Sequence, residues 1–129
     1  MNTLFTAIYE KYLASGLPAA GMTGLYNTRA PADAAFPYGV FSLQDNKPEW
    51  TFTENFENCL IQFNLFSNIK KSPSEICTLF ELLKTTFDFV DLTFDGYTSI
   101  SLVREIATLV NIENVWDFMV QYRFLIEEE

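Results

Sequence analysis

Histidine is absent from this chain of 129 residues, and basic residues are scarce, with eight Lys and Arg against seventeen Asp and Glu. Without histidine, the chain lacks the commonest general base and the commonest ligand of transition metals. The formal net charge of −9 argues against a nucleic-acid-binding domain, because neutralising phosphates requires clustered Lys and Arg. The densest basic group is only the pair Lys70 and Lys71. We therefore expect no histidine-dependent catalysis and no sequence-specific binding of nucleic acid.

Other familiar signatures are missing too. There is no Gly-rich phosphate loop and no GxSxG nucleophile elbow. The two cysteines, Cys59 and Cys77, have no CxxC spacing, so we expect free buried thiols in a reducing compartment. No apolar run approaches the roughly 20 residues of a membrane span, and the N-terminus does not have the pattern of a signal peptide. We therefore expect no contact with a membrane.

Two acid pairs, Asp88 with Asp91 and Glu54 with Glu57, come nearest to a reactive site. Paired carboxylates can hydrolyse glycosides or hold a hard cation. Nothing polar surrounds these pairs in the sequence, and we interpret them as solvated loop charges, with a small carboxylate hydrolase as the remote alternative. A metal site that this argument misses would fall at Asp88, Asp91 and Asp95. The sequence thus predicts a protein that is not an enzyme and requires no metal or cofactor.

Large apolar side chains are abundant, since 49% of the residues are hydrophobic and thirteen are Phe. A chain of this length can bury a core without metals or disulfides, and no linker divides it, so we expect a single domain over 1–129. Its patterns predict a helix at 3–15, strands near 25–28, 38–44 and 58–66, a helix at about 73–88, and strands at 99–109 and 116–127.

The helix at about 73–88 has the clearest pattern. Its apolar positions follow the spacing of one helix face: Ile76, Leu79, Phe80, Leu83 and Phe87. The preceding SPSE predicts a capping box, with Ser72 as N-cap, Pro73 at the first helical position and Glu75 three residues after the cap.

The strands at 58–66 and 116–127 alternate apolar and polar residues, which favours an antiparallel sheet with one buried face. Together these patterns predict an α+β fold, with an antiparallel sheet of about four to five strands and both helices packed on one face. In the strand at 99–109 we expect Ile100, Leu102 and Ile106 to share a face. Arg104 would intrude there, as a structural ion pair or, alternatively, as an interface contact.

Aromatic residues outside the predicted core are candidates for a subunit interface. Trp50, Phe52 and Phe56 share one face in the excursion 45–57. The core is the default place for them, and a subunit contact is the alternative. The loop 88–98 adds Phe89, Phe94 and Tyr97. Aromatic side chains are enriched at the centres of protein interfaces, so we expect the excursion to insert into a neighbouring subunit.

The order of these motifs resembles the tail-completion or tail-terminator proteins of long-tailed bacteriophages. The helix LFTAIYEKYL precedes AFPYGVFSL, in which Pro37 and Tyr38 open a strand. CLIQFNLFSN, with Phe66 and Ser67 at its end, leads into the helix SPSEICTLFELLKTTFD, and WDFMVQYRFLIE forms a final long strand. The resemblance covers nearly the whole chain.

What the resemblance implies is a structural protein of the virion. Such proteins form a ring, usually hexameric, at the head-proximal end of the tail tube, and the ring stops tube polymerisation. The implied partners are further copies of the chain, the tail tube protein and the head-completion or connector protein, with the genome passing through the lumen. The alternative from another class is a monomeric α+β domain that binds an apolar ligand between helix and sheet.

Overall fold

The structure, a computed structural model, describes residues 2–50, 55–68, 72–90, 92–94 and 96–128. These residues form two helices and six strands, and the first helix precedes all six strands in the chain. In chain order they are α1 (Asn2–Leu13), β1 (Leu25–Asn27), β2 (Tyr38–Trp50), β3 (Asn55–Ser67), α2 (Ser74–Phe87), β4 (Thr93–Phe94), β5 (Tyr97–Ile112) and β6 (Val115–Glu128).

The described strands form one sheet in the order β1-β2-β3-β6-β5-β4. Most neighbours are antiparallel, but β1 runs parallel to β2. The expectation of a purely antiparallel sheet of four to five strands was therefore wrong: the sheet is mixed and has six strands. The reason lies in residues 28–37, a connection long enough to return the chain so that β2 starts beside β1 and runs the same way.

The core lies on the face of the sheet that carries α2. Cys59, Ile61, Phe63 and Leu65 of β3 are fully buried there, opposite the alternate residues of β6. Helix α2 contacts both strands, and the rings of Phe63 and Phe87 lie 4.9 Å apart, centroid to centroid. The predicted packing of this helix on β3 and β6 is confirmed.

Helix α1 packs on the sheet through the predicted stripe of Leu4, Ile8 and Tyr12, joined by Ala7. It contacts both β1 and β4, which are the two outermost strands of the sheet. A single helix can touch both edges only because the sheet curls around it. The strong twist of strands in a sheet of this width produces such curling.

Two local predictions were wrong. The N-cap residue of α2 is Pro73 and not Ser72, and no side-chain capping hydrogen bond is made there. The carboxylate of Glu75 instead accepts a hydrogen bond of 2.7 Å from Ser67 in β3. The first part of the excursion 45–57 belongs to β2, which was expected to end at 44 and continues to Trp50. Pro48 is tolerated because β1 covers β2 only as far as Phe41, so Pro48 lies on an edge of the described sheet.

The strand at 99–109 is longer than expected, and one of its faces was assigned wrongly. Its register shifts between Ser99 and Ser101 and again between Arg104 and Ile106. Each shift is a β-bulge, which adds one residue and reverses the alternation beyond it. Leu102 and Arg104 therefore face the core side, whereas Ile106 projects from the opposite face and is half exposed.

Candidate subunit interface

The six predicted interface residues are not brought together as one surface. Phe52 lies outside the described residues, and Trp50 and Phe94 have described backbone positions only, in β2 and β4. Tyr97, at the start of β5, packs against the core. Phe56 is half-buried in β3, opposite Glu127 of β6. These two aromatic residues serve the fold at least in part.

Phe89 is the predicted interface residue that the structure leaves most open. Its side chain is 80% exposed, directly after α2. The backbone adopts a φ of 56°, and the N–H of Phe89 donates a 3.0 Å hydrogen bond to the carbonyl of Leu102. A bulky residue is rarely left-handed, so this bond fixes Phe89 in an outward position that suits a contact with another molecule.

Asp88 has a structural role in the described part of the chain. Its carboxylate lies 3.2 Å from the Arg104 guanidinium and accepts a short hydrogen bond from the Tyr122 hydroxyl. The pKa of Tyr122 is raised well above its ordinary value, mainly by burial and to a lesser extent by the nearby Asp88 carboxylate. Arg104 also lies over the ring of Phe80. The ion-pair interpretation of Arg104 is thus confirmed, and Asp88 does not face solvent as a free loop charge.

The remaining acid candidates give no metal site in the parts of the chain that can be described. Asp91, Asp95 and Glu54 lie outside these parts. No group of three or more His, Cys, Asp or Glu residues that could hold a metal ion occurs among the described residues. Cys59 and Cys77 are free thiols, Cys59 buried and Cys77 partly exposed.

The sheet face opposite the helices carries a row of amides. Gln121 donates to Gln62, Gln62 donates to Asn64, and Asn64 donates to Asp117, over donor–acceptor distances of 3.0, 2.8 and 3.0 Å. This row joins β3 to β6 by side chains as well as by backbone. We call this side of the sheet, away from α1 and α2, the outer face.

A hollow of about 610 Å³ opens on the outer face beside the amide row. Tyr38, Val40 and Phe66 form its apolar floor, and segment 28–32, with Arg29, forms one wall. The rings of Tyr38 and Phe66 lie 5.1 Å apart. The sequence does not predict this hollow, because residues 28–37 contain no regular pattern. The lone arginine in that largely apolar stretch is the one signal that points to it.

An apolar stripe marks the other flank of the outer face. Val103, Ile106, Val110 and Ile112 of β5 are all substantially exposed there. Strand β4 pairs with β5 only at Tyr97 and Thr98, so among the described strands the rest of β5 has β6 as its single neighbour. The outer flank of the stripe is therefore also an open strand edge, which is a common site for association with another chain. The sequence alone does not predict this stripe, because the two bulges in β5 change which residues face outward.

Comparison with known proteins bears on the fold. No family model matches the chain, and no curated protein matches its sequence. A solved structure that is similar is a chain of the virion of a native gene transfer agent (GTA) particle, with a TM-score of 0.82 and 16% sequence identity. The match covers 98% of this chain and 96% of the other. At this identity the likeness establishes a shared fold over almost the full length.

Neither described helix is long and apolar enough to cross a membrane. Among the described residues, two surface features are candidates for contacts with other proteins: the hollow near β2 and the exposed stripe on β5.

Proposed function

We propose that the chain is a virion structural protein of the tail-terminator kind, which forms a ring of six copies at the head-proximal end of a tail tube. The observation that carries this proposal is the fold shared with a chain of a GTA virion over nearly the whole length of both proteins. The order of the sequence motifs points the same way. In this role the protein ends tube polymerisation and offers a surface to the head connector.

The packing favours this function over the binding of an apolar ligand between helix and sheet. Leu79 and Leu83 of α2 are each 1% exposed, and Phe87 is fully buried against the ring of Phe63. The side chains of α2 and the sheet thus fill the space where such a ligand would bind. The many phenylalanines are explained by this core.

The surface also suits a ring. A ring needs a patch that meets a different patch on the next subunit, and the outer face carries two unlike features near opposite flanks of the sheet. The proposed partners are copies of the chain, the tail tube protein and the head connector. We propose no catalytic activity, and we assign the protein to the virion, in its tail or neck.

Electron microscopy of the purified protein at high concentration tests ring formation directly. We expect closed rings with a lumen. In the parent particle, deletion of the coding gene should give tubes of uncontrolled length that do not join heads. Tubes of normal length that join heads without the protein would rule out the tail-terminator role, whatever the protein does in isolation.

A further inference from the structure

We propose that the tip of the β5–β6 hairpin of one copy seats in the hollow of the next copy, with Glu113 paired to Arg29. This inference rests on the proposed ring and names the contact that builds it. The two partners are an exposed hairpin with apolar side chains and a hollow of mixed polar and apolar lining. Each carries one charge, of opposite sign, that has no ion-pair partner among the described residues.

The hairpin tip is exposed and apolar. Val110 and Ile112 are 40% and 63% exposed on the outer side of β5. Strand β6 is paired with β3 only as far as Trp116, opposite Ser67. The turn at Glu113 and Asn114 therefore lies beyond the last residue pair of β3 and β6.

The hollow has the size to receive that tip, and its mixed lining includes three large apolar side chains. Its volume of about 610 Å³ lies in the range that accommodates compact ligands, which is ample for two aliphatic side chains. Tyr38, Val40 and Phe66 would contact Val110 and Ile112 of the neighbour. Burial of these side chains supplies the apolar part of the association.

Charge decides which surface meets the hollow. Arg104 pairs with Asp88, and Arg123 pairs with Asp45 and Glu105. Arg29, by contrast, has no ion-pair partner among the residues described. Of the three arginines in the chain, Arg29 is thus the one whose charge is available to another copy. An acidic group supplied by another copy provides the ion-pair partner of Arg29.

Glu113 is an acidic residue that can pair with Arg29 of another copy. It is exposed and has no partner in the described part of the chain. Its φ of 52° and that of 66° at Asn114 place both turn residues in the left-handed region, which a two-residue hairpin turn demands. Asn or Gly fits the first of these positions better than Glu does. The carboxylate at the tip thus stands where local stability alone favours another residue.

The two features lie near opposite flanks of one sheet. The hollow borders β2 and β3, whereas the stripe follows β5. A contact between them joins unlike patches and leaves each copy with one free patch of each kind. Such contacts continue from copy to copy until the rotation closes a ring.

Charge reversal tests the proposal. Arg29→Glu and Glu113→Arg each place like charges at the contact. We expect each to raise the midpoint concentration of association about tenfold relative to a control variant of the same net charge. An equimolar mixture of the two variants restores one opposite-charge pair at every contact, provided that the two variants alternate. We therefore expect the mixture to form rings in a 1:1 ratio, measured by light scattering and native mass spectrometry.

Matched controls separate this contact from a general effect of charge. Lys11→Glu and Glu10→Arg on α1 change the net charge by the same amounts and should leave association within about twofold of what net charge alone explains. Thermal melts check that each variant is folded.

Three results would overturn the proposal. Wild-type rings that both single variants form equally well exclude the contact but leave the ring intact. A mixture that assembles no better than either variant alone excludes the specific pairing. Normal rings from variants that fail to join tail tubes would assign the hairpin to the tube protein. A wild-type chain that stays monomeric under every condition instead contradicts the proposed ring itself.

Discussion

Leu83 lies at the centre of the contact between α2 and the sheet and is 1% exposed. Truncating it to alanine removes buried methyl groups and leaves a cavity, so we expect Leu83→Ala to lower the free energy of unfolding by roughly 2–5 kcal/mol. Leu13→Ala is the matched control, because Leu13 is 54% exposed at the end of α1. It should change stability by about 0.5 kcal/mol or less. Equal effects in urea denaturation would contradict the described face of α2.

Cys59 gives the fold a dependence on alkaline pH. Burial, helped by the carboxylates of Glu57 and Asp45, raises the pKa of its thiol from 9.0 to about 11. The folded state therefore holds this proton more tightly than the unfolded state does. The resulting stabilisation is fully present below pH 9.0 and is lost as the pH rises towards about 11.

We expect this loss to be roughly 2–3 kcal/mol, since each pKa unit corresponds to about 1.4 kcal/mol. Other groups titrate in the same range, including Tyr122, whose raised pKa acts in the same direction at higher pH. The test is therefore a difference: Cys59→Ala should flatten the fall in stability between pH 9 and 11 relative to the wild type. Cys77→Ala, which removes the other, partly exposed thiol, is the matched control.

At the scale of elements, the turn of the β5–β6 hairpin offers a test that separates folding from assembly. Glu113→Asn places a residue that tolerates the left-handed region where φ is 52°. We expect it to stabilise the fold by about 0.5–1 kcal/mol, with a higher melting temperature. The same variant loses the carboxylate proposed to pair with Arg29, so its rings should form only at higher concentration. If Glu113→Asn changed the stability of the fold and the strength of ring association in the same direction, a separate role of the carboxylate in assembly would be contradicted.

The elements that the sequence predicts best are those whose side chains repeat without interruption. In α2, the spacing of Ile76, Leu79, Leu83 and Phe87 indicates both the helix and its buried face, and the structure buries all four. The alternation in β6 has the same clarity. Both elements pack against neighbours along their full length, so burial imposes its period on the sequence.

Other elements depend on partners that a local pattern does not contain. The two bulges in β5 move Ile106 to the outer face, and their positions depend on the pairing with β6. The parallel pairing of β1 depends on how residues 28–37 return the chain. Strand β2 extends past its predicted end at 44, because Pro48 lies at an edge of the described sheet, where its missing N–H carries no penalty.

The candidate site was predictable only in part. Aromatic content directed attention to Phe56 and Tyr97, but those residues pack at least partly within the fold. Phe89 is the exception, because a backbone hydrogen bond to Leu102 holds it outward. The hollow at Arg29 and the stripe on β5 each combine residues distant in sequence, so only the folded sheet reveals them.

At the scale of the whole molecule, the net charge of −9 opposes every association of like copies. Two such charges about 30 Å apart, roughly the diameter of a domain of this length, repel by about 11 kcal/mol in water without salt. A Debye length of about 10 Å at 0.1 M salt reduces this repulsion roughly twentyfold. One exposed ion pair contributes only about 0.2–1 kcal/mol. The overall repulsion therefore decides the outcome in dilute buffer.

We accordingly expect weak self-association at low salt and stronger association as salt is added, measured by sedimentation or light scattering from about 0.01 to 0.5 M. The pair of Arg29 and Glu113 should respond in the opposite direction, because screening weakens an attraction as well. The ratio of the midpoint concentrations of Glu113→Gln and the wild type should thus approach one at high salt, after correction for the lost negative charge with Glu10→Gln. Association that weakens steadily with salt would mean that specific ion pairs, and not apolar burial against a background of repulsion, hold the copies together.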